Sequence, residues 1–254
     1  MDGVIKSAKR VFEVLEYFRD VRRPLAVREI SAHCRYPLSS TAVLLKDMAT
    51  LGYLNYDREI KAYFPTMQIA VLGDWVLESL VAHSEVQALA ENVSRQCGET
   101  VIVGVQNDVF VHYAHVIPGQ YQVRFFTPVG SRRALCLSGI GWAILSVQPD
   151  AVILKLVLQT IQRLGRSARA ISEEYVMGEV ERTRRQGYAL SQGMVTRDAT
   201  VIAMPLRLPD LYGRIGIGVG GPSERVDAKI PRIVEIMQRC IDEAKMAFPA
   251  PATL

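Results

Sequence analysis

The stretch from Arg35 to Gly52 constrains the fold of this chain more than any other. Its apolar residues recur at three- and four-residue spacing, which predicts one stripe along a helix: Leu38, Thr41, Leu44, Leu45, Met48 and Leu51. Gly52 is a typical helix end. The segment from Pro24 to Cys34 predicts a shorter helix, joined to the first by a tight connection. Two short helices joined in this way are typical of a helix-turn-helix, whose second helix enters the DNA major groove.

The neighbouring segments extend this pattern into a small domain. Ser7 to Asp20 predicts a helix that packs behind the other two. Tyr53 to Tyr56 and Ile60 to Phe64 alternate on either side of a charged corner, which predicts a β-hairpin. A hairpin after the second helix is the wing of a winged helix-turn-helix. The alternative is an ordinary three-helix domain followed by an unrelated hairpin.

Composition limits the remaining possibilities. With 254 residues, 49% of them hydrophobic, the chain can bury one large core or two ordinary ones. No apolar run approaches the roughly 18 residues that a membrane-spanning helix needs, so we expect no membrane partner. The four cysteines are well separated and form no CxxC pair, which favours reduced thiols and a cytoplasmic location.

The net charge of +4 is unevenly distributed. Residues 1–65 hold eleven Lys and Arg against eight Asp and Glu, a balance of +3, which leaves +1 for the rest of the chain. The basic excess therefore coincides with the candidate helix-turn-helix. An excess of this size is weak evidence for nucleic-acid binding by itself.

The rest of the chain predicts a connecting helix and a second domain. Thr66 to Ala82 is too apolar for a helix with one protected face, so we expect it to pack against a second copy of the chain. Beyond Glu85, helices and strands alternate, which predicts one mixed sheet with flanking helices. The expected strands are Thr100–Val105, Val109–Val116, Tyr121–Thr127, Val201–Leu208 and Arg214–Val219; the expected helices are Val86–Gln96, Leu135–Ser146, Ala151–Leu164, Glu173–Gln186 and Ala228–Phe248.

Several short motifs together resemble the IclR family of bacterial transcription regulators. They are Ser7–Leu15, Pro37–Tyr53, Thr127–Arg132, Ser138–Gly141, Arg185–Leu190 and Gly220–Ser223 with the nearby Arg225. The resemblance implies an α+β chain with a winged helix-turn-helix (1–65), a linker helix (66–84) and a GAF-like mixed α/β effector-binding and oligomerisation domain (85–254). It also implies homodimers, often paired into dimers of dimers, operator DNA as partner, and no cofactor or metal.

The resemblance also implies a site for a small effector. By motif, its lining positions fall on Phe125, Arg133, Gly139, Ile140, Ser191, Val201, Gly218 and Gly220. The family often has an acidic residue at the position of Ser191, a cysteine at Val201 and serines at the two glycines of the last strand. We therefore expect a roomier and less polar wall here.

The segment from Arg133 to Gly141 has, independently of the resemblance, features that suit an anion-binding site. A helix that begins with small residues exposes backbone N–H groups at its positive end, and a nearby arginine makes that end suitable for a carboxylate. Phe125 and Phe126 would suit a flat apolar body, so the hypothesis is an aromatic organic acid as effector. The alternative is that Arg133 is a solvated surface residue and that the glycines are merely turns.

Four other motifs favour structural interpretations. His112 and His115 lie in a predicted strand, where residues three apart point to opposite faces, so we expect no joint metal site. Cys136 has no catalytic signature around it and is expected to be a buried thiol. The glycine-rich run from Gly213 to Gly221 lacks a GK[ST] sequence and is interpreted as a strand packed closely against a ligand or backbone. The arginines at 163, 166, 169, 182, 184 and 185 alternate with glutamates, which predicts a solvated helix face.

The leading hypothesis is therefore a ligand-responsive transcription factor, with a repressor favoured over an activator and a catabolic operon as its target. The competing hypothesis is a small-molecule-binding or hydrolytic enzyme with an accessory N-terminal module. No nucleophile–base pair or paired carboxylates support it.

The predicted DNA-reading residues follow from the helix periodicity and the helix start. They are Arg35 and Tyr36 for the backbone, Ser39, Ser40 and Lys46 for hydrogen bonds, and Leu38, Ala42 or Val43 for thymine methyl groups, with Thr41 facing the core. Related family members commonly carry His or Arg on this face.

Substitutions at these positions should separate base reading from backbone contact. We expect Ser39→Ala and Ala42→Arg to change which operators bind, because both lie among the base-reading residues. Arg35→Ala should weaken binding to all operators alike and reduce its salt dependence, because a phosphate contact carries no sequence information. Gel shifts over a series of salt concentrations measure both. An unchanged operator preference in Ala42→Arg would mean that this side of the helix stays outside the groove.

Overall fold

A computed structural model describes residues 5–72, 82–165, 171–194, 196–208 and 214–246. The chain divides into two compact units, residues 1–81 and 82–254. Each unit combines helices with a β-sheet, as expected for an α+β chain.

The N-terminal unit is a winged helix-turn-helix. Its helices are α1 (Lys6–Val21), α2 (Val27–Cys34) and α3 (Leu38–Thr50), and its hairpin consists of β1 (Leu54–Asp57) and β2 (Ala62–Pro65). The hairpin joins the helices through a backbone bridge between Leu25 and Tyr63. The hairpin therefore belongs to the domain, which decides against a three-helix domain with an unrelated hairpin.

The apolar stripe of α3 is narrower than the sequence predicts. Thr41, Leu45 and Met48 are buried, and they form the true core side of the helix. In contrast, Leu38 is 47% exposed and Leu51 is 69% exposed. Leu38 is the first residue of the helix and Leu51 follows its last turn, so neither end has the other helices to pack against.

The expected linker helix is described only in part. Residues 68–72 are helical, whereas residues 73–81 lie outside the described residues. The two compact units divide between residues 81 and 82, within the segment expected to connect them.

The C-terminal unit contains six strands and six helices among its described residues. In chain order they are α4 (Ala82–Cys97), β3 (Thr100–Asn107), β4 (Phe110–Ile117), β5 (Arg132–Ala134), α5 (Gly139–Ser146), α6 (Asp150–Leu164), α7 (Glu173–Gln186), β6 (Ala189–Gln192), β7 (Ala199–Leu206), β8 (Ile215–Pro222), α8 (Ser223–Asp227) and α9 (Ile230–Glu243). A single 3₁₀ turn, Leu135–Leu137, precedes α5.

The strands form one sheet in the order β5-β4-β3-β8-β7-β6, and all of its pairings are antiparallel. The expectation of a mixed sheet was wrong in this respect. Helices α4 and α9 cover one face of the sheet, and α5, α6 and α7 cover the other. This is a sheet between two helical layers, in keeping with a GAF-like domain.

Strand β8 shows how the sequence separates the two faces. Ile215, Ile217 and Val219 alternate with glycines and point into the core beneath α4 and α9. The glycines at 216, 218 and 220 therefore turn towards α5, where side chains from other elements come close. The glycine-rich run is thus a strand packed closely against its neighbours, as predicted, although Gly213 itself lies outside the described residues.

The segment from Tyr121 to Thr127 is not a strand, contrary to prediction. Its carbonyl groups bind side chains instead of another strand: Thr100 Oγ1 donates to the Phe125 oxygen at 2.7 Å, and Arg225 Nη2 donates to the Val123 oxygen at 2.9 Å. Prolines at 118 and 128 bracket the segment, which further disfavours a ladder. Strand β6 was not predicted, because four residues are too few to show a clear period.

Among the described residues, no helix is both long and apolar enough to cross a membrane.

Two leucines of the N-terminal unit provide a test of its core. We expect Leu45→Ala to destabilise this unit by about 2–5 kcal/mol, because Leu45 is fully buried and the cavity left behind cannot collapse completely. Leu51→Ala, the matched control, removes the same atoms from an exposed site and should stay within about 0.5 kcal/mol. Native-state hydrogen exchange of the α1–α3 amides in the full chain measures both. Equal losses of protection would contradict this core assignment.

Candidate DNA-reading surface and effector cavity

The outward face of α3 is the candidate DNA-reading surface. Residues offset by two positions from the buried Thr41, Leu45 and Met48 point to the opposite side of the helix. They are Ser39, Val43, Lys46 and Thr50, which repeat at i, i+4, i+7 and i+11 and are all exposed. Val43 lies in the middle of this face, and the residue is 60% exposed.

Most hydroxyl groups in the first turn of α3 are bound to the helix itself. Ser40 Oγ and Thr41 Oγ1 each donate to the Pro37 carbonyl oxygen at 3.0 Å. Thr41 is buried, as expected from the sequence. Ser39 is the residue of this group whose side chain is exposed on the outward face.

Tyr36 is tied into the N-terminal unit. Its hydroxyl donates to the Glu13 carboxylate on α1, and the Arg10 guanidinium lies 4.5 Å from the centre of its ring. Lys9 also pairs with Glu13, at 3.4 Å. These contacts bring two basic residues of α1 to the start of α3. No local sequence pattern marks Arg10, because only tertiary packing brings it beside Tyr36.

The predicted DNA-reading residues are unequally accessible. Arg35, Leu38, Ser39, Val43 and Lys46 are exposed, whereas Tyr36, Ser40 and Ala42 are half-buried. Arg35 adopts a left-handed φ of 57° at the end of α2, and this conformation turns the chain into α3. Ala42 lies at the edge of the outward face, so Val43 is the better placed of the two for a base contact.

The C-terminal unit contains a small enclosed cavity between the start of α5 and strands β6 and β7. Its lining residues are Tyr113, Phe125, Ser138, Gly139, Ile140, Ser191, Thr196, Ala199 and Val201. Five of the eight predicted effector positions are among them: Phe125, Gly139, Ile140, Ser191 and Val201. The volume of the cavity is about 10 Å³, roughly the space of one water molecule.

The glycines of the last strand do not open additional space in the cavity. A Cβ at Gly218 would lie 2.9 Å from Ile140 Cγ1, and a Cβ at Gly220 would lie 3.2 Å from Phe125 Cδ1. Larger neighbours therefore occupy the space that these two glycines leave, and the glycines lie behind the lining instead of forming it. The wall is apolar, as expected, because Ile140, Phe125 and Val201 form it.

Arg133 does not line the cavity. Its guanidinium lies 5.6 Å from the centre of the Tyr113 ring, and its Nη1 donates to the Arg132 carbonyl oxygen. Burial raises the pKa of Tyr113, and the neighbouring Arg133 opposes that shift. The buried Arg133 Nε lacks a hydrogen-bond partner among the described residues. Arg133 is thus neither a solvated surface residue nor a direct wall of the site, and Tyr113 separates it from the cavity.

The first turn of α5 faces this cavity with backbone and hydroxyl groups. Ser138 Oγ caps the helix by accepting from the Gly141 N–H at 3.2 Å. Gly139, the next residue, lies against Ser191, since a Cβ added to it would be 3.1 Å from the Ser191 Cβ. Ser138, Ser191 and Thr196 add hydroxyl groups beside the positive end of the helix.

The loop of residues 118–127 holds Phe125 over the cavity through a buried ion pair. Glu99 is fully buried, and Arg225 binds it in a bidentate manner at 2.5 and 2.8 Å. Arg225 also donates to the Val123 carbonyl oxygen and lies 4.1 Å from the centre of the Tyr121 ring. The hydrogen bond to Glu99 raises the pKa of Arg225 above its ordinary value. The cavity wall therefore depends on a charge pair outside the cavity.

The prediction that His112 and His115 point to opposite faces of their strand was wrong. His112 and His115 pair with Val105 and Val103, which share one face of β3, so the two histidines lie on the same face of β4. A β-bulge between them interrupts the alternation of a regular strand. No group of three or more His, Cys, Asp or Glu in the described part of the chain is suited to a metal ion.

The other two motifs have clear structural roles. Cys136 is buried, and burial raises its thiol pKa, as for an inert core cysteine. Arg184 is not part of a solvated face, because its guanidinium donates to the carbonyl oxygens of Ser146 and Gln148 and pairs with Asp150. It thereby closes the C-terminal end of α5. The arginines at 166 and 169 lie outside the described residues.

Comparison with known proteins decides the family. Residues 7–58 match the family model of the IclR helix-turn-helix domain, and residues 76–245 match that of the bacterial transcriptional regulator IclR C-terminal domain. The chain belongs to the IclR family of bacterial transcriptional regulators. It is a DNA-binding transcriptional regulator, and the competing hypothesis of an enzyme is set aside because the family and the relatives of this chain are regulators.

Relatives of known function and of known structure agree with this assignment. The HTH-type transcriptional regulator KdgR of Escherichia coli is 25% identical over 222 residues, which cover 86% of this chain and 81% of KdgR. The transcriptional repressor AllR of the same species is 22% identical and covers 87% of this chain and 82% of its own length. The crystal structure of Thermotoga maritima IclR has a TM-score of 0.72 at 17% identity and covers 94% of this chain and 96% of its own.

A second solved structure contains a ligand. It is an IclR homologue from Microbacterium hydrocarbonoxydans complexed with 4-hydroxybenzoate, with a TM-score of 0.68 and 18% identity, covering 94% of this chain and 99% of its own. At this level of identity the likeness shows a shared fold.

The buried ion pair provides a test of the cavity wall. We expect Arg225→Gln to destabilise the C-terminal unit by about 3–5 kcal/mol, because it leaves the Glu99 carboxylate buried without its partner. It should also increase hydrogen exchange in the 118–127 loop. The matched control is Arg232→Gln, whose pair with Glu235 is 61% exposed on both sides and which should have almost no effect. Unchanged exchange in the loop of Arg225→Gln would show that the ion pair does not hold Phe125.

Proposed function

We propose that this regulator is a repressor of a catabolic operon that responds to a small aromatic acid. The observation that carries the effector class is the cavity itself. Two aromatic rings, Tyr113 and Phe125, form its walls, and the positive end of α5 and the Ser191 hydroxyl form its polar end. A flat ring with one carboxylate matches this distribution of apolar and polar groups.

The remaining parts of the proposal rest on the family and on DNA geometry. AllR is a repressor, which supports the same sign for this chain. The homologue complexed with 4-hydroxybenzoate supports an aromatic acid. A helix-turn-helix reads two half-sites when the protein is dimeric, so we propose a homodimer, pairing further into a dimer of dimers, that acts on operator DNA in the cytoplasm.

The small cavity volume sets a condition on effector binding. A space of about 10 Å³ does not hold a six-membered ring, so entry of an aromatic acid requires side chains of the wall to move. Phe125 is the one we expect to move, because it belongs to an irregular loop and not to the sheet. Its displacement would change the contacts of Arg225 and Thr100 with the loop. Ligand binding would thereby alter the structure outside the cavity.

Calorimetry with a panel of acids tests the effector class. We expect benzoate and 4-hydroxybenzoate to bind more tightly than glyoxylate and pyruvate. Ser191→Ala should lower the affinity for the aromatic acids by about tenfold, because it removes a hydrogen bond to a charged group in a buried site. Ser146→Ala is the matched control, since its hydroxyl donates to the Ala143 carbonyl oxygen within α5. Binding only of glyoxylate- or pyruvate-sized acids would overturn the proposal.

Gel shifts with DNA upstream of the gene for this chain test the regulatory part. The full chain should bind this DNA with an affinity that falls steeply with salt, and the acid that binds in calorimetry should weaken the complex. A strengthened complex would contradict induction of a repressor, and binding that ignores salt would count against the DNA-binding role itself.

A further inference from the structure

We infer that α3 selects its operator chiefly by an apolar contact between Val43 and the 5-methyl group of thymine. This inference rests on the proposed function and on the assignment of residues 7–58 to the IclR helix-turn-helix domain. The second helix of such a domain lies in the major groove, where the thymine methyl group is the only apolar feature of the base edges.

The position of Val43 singles it out among the candidates for this contact. It lies opposite the buried Thr41, Leu45 and Met48, in the centre of the outward face, with 60% of its surface exposed. An isolated valine so placed has no packing role within its own domain. Ala42 is half-buried at the edge of the face, and Leu38 lies in the first turn on the side nearer the core.

Hydrogen-bond reading on this face is limited by the structure. The hydroxyls of Ser40 and Thr41 already donate to the Pro37 carbonyl oxygen, so neither is free to donate to a base. Ser39 and Lys46 are the exposed donors on either side of Val43. Ser39 lacks the paired amide donor and acceptor with which asparagine reads adenine, so Lys46, which can reach guanine O6 and N7, is the strongest hydrogen-bond reader on this face.

The charge along α3 places the base contact towards its first half. Asp47 is exposed beside Lys46 and, among the described residues, has no ion-pair partner. The charge of Asp47 offsets that of Lys46, so the C-terminal half of α3 carries no net charge to attract phosphate groups. Arg10 approaches the start of α3 through Tyr36 and adds positive charge at that end, whereas the charge of Lys9 is offset by Glu13.

Uracil substitution removes the thymine methyl group and nothing else from the base edge. A random-sequence pool is first enriched with the full chain, and the selected duplex is then made once with thymine and once with uracil. Wild-type protein should bind the uracil duplex more weakly, by about fourfold for each methyl group that Val43 touches. Val43→Ala should bind the thymine duplex more weakly than wild type does. The affinities of Val43→Ala for the thymine and uracil duplexes should differ by less than about twofold.

Matched variants isolate this contact from general effects. Val152→Ala removes the same atoms from an exposed site on α6 in the other compact unit, and it should discriminate thymine from uracil as wild type does. Circular dichroism checks that Val43→Ala is folded, which is expected because alanine is the better helix former and the site is exposed.

The possible outcomes are distinct. Equal weakening of wild type and Val43→Ala on uracil DNA would assign the methyl contact to another residue and overturn the inference. Equal binding of both duplexes by wild type would overturn it as well, while leaving the DNA-binding role intact. Failure of the full chain to enrich any duplex from the pool would overturn the proposed function together with the inference.

Discussion

The close approach of Ile140 to strand β8 brings helix α5 onto the sheet of the C-terminal unit. Glycines at 216 and 218 leave room for its side chain, and a Cβ at either position would lie 3.2 or 2.9 Å from an Ile140 carbon. Helix α5 can therefore lie close to the sheet, with its positive end directed at the cavity. The same contact fills the space that a larger ligand would need. The close packing of α5 against the sheet and the small volume of the cavity therefore have the same cause.

Residues that do not line the cavity help to fix the position of its wall. Glu99 and Arg225 hold the 118–127 loop from outside, and Thr100 holds it from β3. A buried charge pair contributes little net stability but strongly disfavours separation of its partners, because each would be left charged and unpaired. A ligand that displaces Phe125 acts against these contacts. If the proposed effector binds there, this arrangement would connect occupancy of the cavity to helix α8 without a contact between the ligand and α8.

In the N-terminal unit, one side of α3 packs into the core and the opposite side is available for DNA recognition. Its core is formed by α1, α2, α3 and the hairpin, so the outward face of α3 has few structural duties. The residues on that face are small, apolar or basic: Ser39, Val43, Lys46 and Thr50. If this face enters the major groove as proposed, it would read shape and methyl groups more than a hydrogen-bond code.

The sequence by itself determined most of the elements and their order, because period-3.6 and period-2 patterns are local properties of the chain. It also determined the winged helix-turn-helix and the buried side of α3 at Thr41. The five lining residues (Phe125, Gly139, Ile140, Ser191 and Val201) followed from the resemblance to the IclR family. Only the tertiary structure decided the antiparallel sheet, the separation of Arg133 from the cavity by Tyr113, and the approach of Arg10 to Tyr36. It also turned Tyr121–Thr127 into a loop and, through one bulge, placed His112 and His115 on the same face. Each of these features depends on partners distant in sequence, whose contacts override local preference and leave no periodic signal.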